Sequence, residues 1–227
     1  MLSLQKFYEK NMRNFLIAFL LATFAAGVSA QTASKIRLLN AGSGKVTVVR
    51  NKARATINLS REVAGCGYAN AATKKNFKDC AAPSAEFHLI DATVKNNQTY
   101  LLIASEAMGN CNVCGQCGAD ESFALIWLKL DRNLRVLDKK GVPIDYCRFD
   151  IDLISAVVDF KEETQDESLN LKFKDDRLEI DFEKKTFEAN SERSYYEFSH
   201  LEYNRKTPEK GFVIKTERRE KSSVPEQ

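Results

Sequence analysis

Missing from this 227-residue chain are long runs with the three-to-four-residue spacing of an amphipathic helix, which leaves strands as the building unit. Missing too are a Gly-rich phosphate loop, a nucleophile-elbow serine and an HExxH pair, so phosphate-cradling, α/β-hydrolase and zincin chemistry have no anchor here. Histidine is scarce, with only His88 and His200. They fall on separate predicted strands with no serine or carboxylate motif at an informative spacing, and each reads as a strand residue before it reads as a general base. No self-similar period emerges, although propeller blades of about 40 to 50 residues should leave one.

An excess of charge is also lacking. Residues 1–30 hold three basic and one acidic residue of the chain's 34 and 31, so the remainder carries 31 and 30, a net charge of +1. That balance argues against a general nucleic-acid or membrane-surface binder, which needs a clear basic surplus. Two local imbalances stand out, an acidic one over Asp159–Glu188 and a basic one over Arg205–Lys221. Solvated strand faces and a charged tail account for both.

What is present begins with a three-part N-terminus. Lys6, Lys10 and Arg13 precede the apolar run from Phe15 to Gly27, and Val28-Ser29-Ala30 places small residues where a signal peptidase cuts. The run falls short of the about 20 apolar residues an uninterrupted span requires, and no cysteine follows it as a lipid attachment point. The expectation is a cleaved secretory signal over residues 1–30, a single all-β domain over residues 31–221 and a disordered tail over residues 222–227. The mature protein is then secreted or periplasmic, with no stable membrane insertion.

Period-two alternation predicts the strands. Lys45–Arg50 and Arg54–Ser60 form a first hairpin across Asn51-Lys52-Ala53, and Phe87–Val94 and Thr99–Ala104 a second across an asparagine turn. Ser122–Leu130 is the most apolar strand of the mature chain, followed by Leu134–Leu137 and a break at Gly141-Val142-Pro143. Ile151–Phe160 suits an inner strand. Leu169, Leu171 and Phe173 alternate up to the two-residue loop Asp175-Asp176, after which Leu178, Ile180 and Phe182 alternate again. This predicts a tight hairpin with Lys174 opposite Arg177 and both triplets on one face. Tyr195–Tyr203 and Gly211–Thr216 complete the set. The fold class expected is an all-β antiparallel meander of hairpins, forming a sandwich or partly closed barrel stapled by disulfides, with a small propeller ranked second.

Six cysteines carry the chemistry. Cys111, Cys114 and Cys117 lie within seven residues, while Cys66, Cys80 and Cys147 are dispersed. Export and an even count favour disulfides among all six, either as three cluster-to-outside bonds or as one bond inside the cluster with Cys66 joined to Cys80. Cys114-Gly115-Gln116-Cys117 has the spacing of a dithiol redox centre, yet the residues after it alternate as a strand and do not supply the helix N-terminus that stabilises a thiolate. Cys111-Asn112-Val113-Cys114 looks like half of a zinc knuckle, and Cys111, Cys114, Cys117 and Cys147 are the alternative zinc ligands, though no second pair completes a site.

The function these features support is an exported, non-enzymatic binding or structural protein with no catalytic residues and no cofactor. Its partner is unknown, a protein or a small-molecule ligand being the classes considered, and nucleic acid is not expected. The alternative is an extracytoplasmic thiol-disulfide redox or metal-binding protein acting through the CxxCxxC loop, with zinc as its metal. Tyr195, Tyr196, Phe198 and Tyr203 are the residues that could make an aromatic binding face.

Overall fold

The computed structural model describes residues 36–64, 85–108, 121–147, 150–156, 171–188 and 193–221, which form eleven strands and no α-helix. Cys66, Cys80, Cys111, Cys114, Cys117 and the predicted tail lie outside the described residues, as does the predicted signal. No helix among the described residues is long and apolar enough to cross a membrane.

The strands assemble in chain order into three antiparallel sheets. The first contains β1 (Ile36–Asn40), β2 (Lys45–Arg50) and β3 (Ala53–Asn58). A central sheet contains β4 (Ala85–Lys95), β5 (Gln98–Met108), β6 (Glu121–Leu130) and β7 (Val136–Asp145). The third contains β8 (Ile151–Ala156), β9 (Arg177–Phe187), β10 (Ser194–Asn204) and β11 (Phe212–Arg219).

Alternation along β5 and β6 explains the stacking. Leu101 and Ile103 of β5, with Ile126 and Leu128 of β6, join Val46, Val48 and Ile57 of the first sheet in one apolar cluster. Their neighbours Tyr100, Leu102, Leu125 and Trp127 point the other way and join Leu178, Ile180, Leu201 and Phe212 of the third sheet in another. The central sheet is therefore covered on both faces, and its middle strands read as continuous apolar runs because neither face meets water. The result is three layers, where the sequence suggested the two of a sandwich. The partly closed barrel is not realised, since the strands divide into three separate open sheets. One sheet has three strands and the others four, short of the four or more four-stranded blades typical of a propeller.

Turn chemistry fixes the hairpins. Asn96 and Asn97 have φ of 52° and 61°, and Asp175 and Asp176 have φ of 49° and 66°. Two successive left-handed residues match the twist of the flanking strands, and Asn and Asp tolerate that region better than other residues with a Cβ. Lys174 does face Arg177 across the second of these turns. Beyond that bridge the described part of the preceding segment, Leu171–Phe173, does not become a strand pairing along β9, while Leu169 lies outside the described residues. β9 is flanked by β8 and β10, and Leu171 and Phe173 instead pack into the core beneath the third sheet. The local pattern was met by burial without a ladder. Gly141-Val142-Pro143 also departs from expectation, lying inside β7 instead of ending it. Proline is tolerated there because β7 pairs only with β6, so the missing N–H costs no ladder bond on an edge strand.

A bulge between Leu89 and Asp91 reverses the facing of β4. Phe87 and Leu89 before it point to the first sheet, whereas Asp91 after it stands opposite Leu102 and faces the third. One extra residue thus re-aims Asp91, Thr93 and Lys95 together.

Candidate functional site

Of the six cysteines singled out by the sequence, only Cys147 is described, and its sulfur is in a disulfide. It sits two residues after the end of β7. Strand register shows where the other cysteine-bearing segments attach. β4 opens with Ala85 opposite Ala107, β5 ends with Met108 opposite Glu121, and β7 closes with Asp145 opposite Phe123. Residues 65–84, residues 109–120 and Cys147 are therefore all connected at one end of the central sheet. The four strands at that end span about 14 Å at ordinary strand spacing.

The two histidines are far apart in role. His88 on β4 places Nε2 at 3.8 Å from Glu106 and 4.0 Å from Glu86, and this atom has no hydrogen bond among the described residues. His200 on β10 makes a 2.7 Å hydrogen bond through Nδ1 with Asp181 on β9, and Ser155 on β8 donates to the other carboxylate oxygen at 2.9 Å. The register brings these three together, with Asp181 opposite both His200 and Ser155. Sequence spacing gave no hint of it, and only the strand order could have done so. The residue types are those of a hydrolytic triad but the wiring is not. A nucleophilic serine must give its proton to histidine, whereas Ser155 gives its proton to the carboxylate. Asp181 is the hub of a surface polar row, and this arrangement does not activate the hydroxyl.

The aromatic face divides. Tyr203 is completely buried against the central sheet, while Tyr196 and Phe198, at even positions, face the other side of β10. The Arg219 guanidinium lies 3.6 Å from the Phe198 ring centre and Arg218 lies 3.9 Å from that of Tyr195. The period-two rule itself separates these residues.

The strongest polar geometry lies along the seam between the central and third sheets. The Tyr203 hydroxyl donates to Asp91 Oδ2 at 2.9 Å, and Thr93 donates to the same oxygen at 3.3 Å. Burial, followed by the Asp91 charge and its hydrogen bond, pushes the Tyr203 hydroxyl far above the ordinary tyrosine range. Arg205 stacks on Phe173 with 3.8 Å to the ring centre and lies 4.0 Å and 3.9 Å from Asp91 and Asp176. A hydrogen bond from Lys206 holds Asp176 below the usual carboxylate range. Lys95 bonds Glu209 at 2.8 Å, and the Lys140 ammonium donates to the Phe212 carbonyl at 3.3 Å. The Tyr203–Asp91, Lys95–Glu209 and Lys140–Phe212 bonds each join the central sheet to the third sheet or its β10–β11 turn, so the geometry is that of a latch. Beside it Arg205 Nε is buried without a hydrogen bond among the described residues. Two open grooves exist elsewhere. One of about 450 Å³ lies between β3 and the β6–β7 turn, lined by Ile57, Asn58, Arg135, Val136 and Lys139, and one of about 440 Å³ lies beside Lys174, Asp175, Arg177 and Glu179. Among the described residues no group of three or more His, Cys, Asp or Glu side chains could hold a metal ion.

Fold and site together define an all-β protein of three antiparallel sheets. No protein-family model matches the chain, and neither does any curated protein or solved structure.

Proposed function

We propose that the protein is exported, loses residues 1–30, and acts as a non-enzymatic binding or structural protein whose layered sheets are locked by disulfides among Cys66, Cys80, Cys111, Cys114, Cys117 and Cys147. The observation that carries this reading is the engaged sulfur of Cys147 at the end of the central sheet to which all the other cysteine-bearing segments connect. Residues 109–120 join the two middle strands there, so Cys111, Cys114 and Cys117 are the closest partners in the topology. A disulfide closing a loop of about 30 to 36 residues contributes about 3.7 kcal/mol through the unfolded chain, a large share of the stability of an ordinary domain. The non-catalytic reading draws support from the Ser155-Asp181-His200 grouping, whose protons run the wrong way for nucleophilic attack.

Alkylation of the protein recovered from its exporting cells without reductant, followed by intact mass and non-reducing peptide mapping, tests this. The expected result is no alkylated cysteine and a cross-linked peptide joining Cys147 to the 109–120 segment. Alkylated thiols in Cys111, Cys114 and Cys117 would overturn it. If those thiols also cycle at a mild potential, or co-purify with stoichiometric zinc, the redox or metal-binding alternative replaces it.

A further inference from the structure

The first sheet has a charge pattern unlike the rest of the molecule. Between Ile36 and Arg61 the chain has Arg37, Lys45, Arg50, Lys52, Arg54 and Arg61 and not one acidic residue. Register sorts them by face. Arg50 lies on the inner side, where its guanidinium donates to Thr99 and to the Arg132 carbonyl. Arg37 and Arg54 lie on the outer side, flanking Val49 in one row across the sheet. Lys45 is on the same side of β2 two rows further along, beyond Thr47, and Lys52 projects from the β2–β3 turn. All four outer cations are exposed. Among the described residues none of them has a salt bridge or a side-chain hydrogen bond.

We propose that this outer face docks onto an anionic lipid surface. The Arg37–Val49–Arg54 row sets the two arginine Cα atoms about 10 Å apart by strand spacing, with the half-exposed Leu39 on the same face. Each Lys or Arg brought against anionic headgroups contributes about fivefold in partitioning, and among the described residues the strands β1, β2 and β3 themselves carry no carboxylate. The face also lacks any aromatic residue between Ile36 and Arg61, so it offers no stacking platform of the kind single-stranded nucleic acids use. The docking is peripheral, since the cations stay in the headgroup layer. It is independent of the disulfide reading, because the first sheet contains no cysteine.

Sedimentation with phosphatidylcholine vesicles containing about one third phosphatidylglycerol tests it, with pure phosphatidylcholine as the comparison. The expected result is binding to the anionic vesicles alone, abolished near 1 M salt, where the screening length falls to about 3 Å. Reversing four charges (R37E, K45E, K52E, R54E) should lower partitioning more than about a hundredfold while circular dichroism shows the sheets intact. The charge-preserving pair R37K and R54K should bind like the parent, because a bilayer reads charge and not guanidinium geometry. Equal binding to neutral vesicles, binding unchanged by charge reversal, or loss in the charge-preserving pair would each overturn the proposal. So would failure on vesicles together with salt-sensitive binding to a soluble polyanion such as heparin or duplex DNA.

Discussion

Trp127 on β6 donates its indole N–H to the Pro208 carbonyl at 2.9 Å, a buried bond that ties the central sheet to the turn between β10 and β11. Trp127 is the chain's sole tryptophan and is 4 % exposed, with Tyr100 stacked beside it. Its emission should therefore be blue-shifted in the native protein and report on this one interface. Replacing Trp127 by Phe keeps much of the packing and removes one of two donors to the Pro208 carbonyl, which keeps the Gly211 N–H at 3.1 Å, a loss of about 0.5 to 1.5 kcal/mol. Urea denaturation followed by circular dichroism should show the lowered midpoint. An unchanged midpoint would mean that the bond contributes nothing net.

Gly211 closes the same contact. Its φ of 66° and ψ of −154° fall in a region open almost only to glycine, and a Cβ there would meet the Trp127 ring at 3.3 Å. Gly211→Ala should cost about 1 to 3 kcal/mol from backbone strain, and should red-shift tryptophan emission if the ring is pushed from its slot. A stable variant with native emission would place the strain elsewhere.

Gly141 marks where the chain leaving the first sheet crosses the edge of the central one. A Cβ on Gly141 would lie 2.7 Å from the Glu62 Cβ, and Glu62 is held by a 2.9 Å ion pair to Lys139. Because the obstruction is at the base of the side chain and not its flexible end, Gly141→Ala should destabilise by about 1 to 3 kcal/mol. Removing the opposing Cβ with Glu62→Gly should recover part of that loss in a double-mutant cycle. Strictly additive effects would show that the two residues do not press on each other.

Most of the strand pattern is legible because it rests on local rules. The Asn96-Asn97 and Asp175-Asp176 turns declare themselves by residue type, and the β10–β11 hairpin follows from alternation alone. What escaped depended on partners distant in sequence. Leu171 and Phe173 alternate like a strand, yet β8 occupies the edge of β9 they would have paired with. β1 contributes only Ile36 and Leu38 to the core, too few positions to register as a period. Pro143 looked like a terminator because edge strands tolerate what inner strands do not, and edge status is a property of the sheet.

Sites were harder to read for the same reason. Asp181, His200 and Ser155 meet only through register, and the Asp91–Tyr203 bond depends on a bulge that single-sequence alternation does not reveal. The cationic first sheet was there to be read, but a net charge near zero averages it against the acidic Asp159–Glu188 stretch. Charge counted along one sheet carries information that charge counted over the chain loses.

Tyr203 should make the fold sensitive to alkali. Its hydroxyl is buried and bonded to Asp91, so the folded state keeps the proton well above the unfolded tyrosine value of about 10. The stabilisation is fully present below that unfolded value. As pH rises past it, the unfolded chain releases the proton while the folded one retains it, and stability then falls by about 1.4 kcal/mol per pH unit for this one group. Tyr203→Phe removes the titration and also the hydrogen bond, leaving Asp91 with Thr93 as its remaining hydroxyl donor. The variant should therefore be less stable at neutral pH, by about 1 to 2 kcal/mol, yet decline less steeply between pH 10 and 11. Urea midpoints measured across that interval for both proteins decide the matter. Parallel slopes would mean that Tyr203 ionises as readily in the native state as in the unfolded one, and the buried bond to Asp91 would then have to be abandoned.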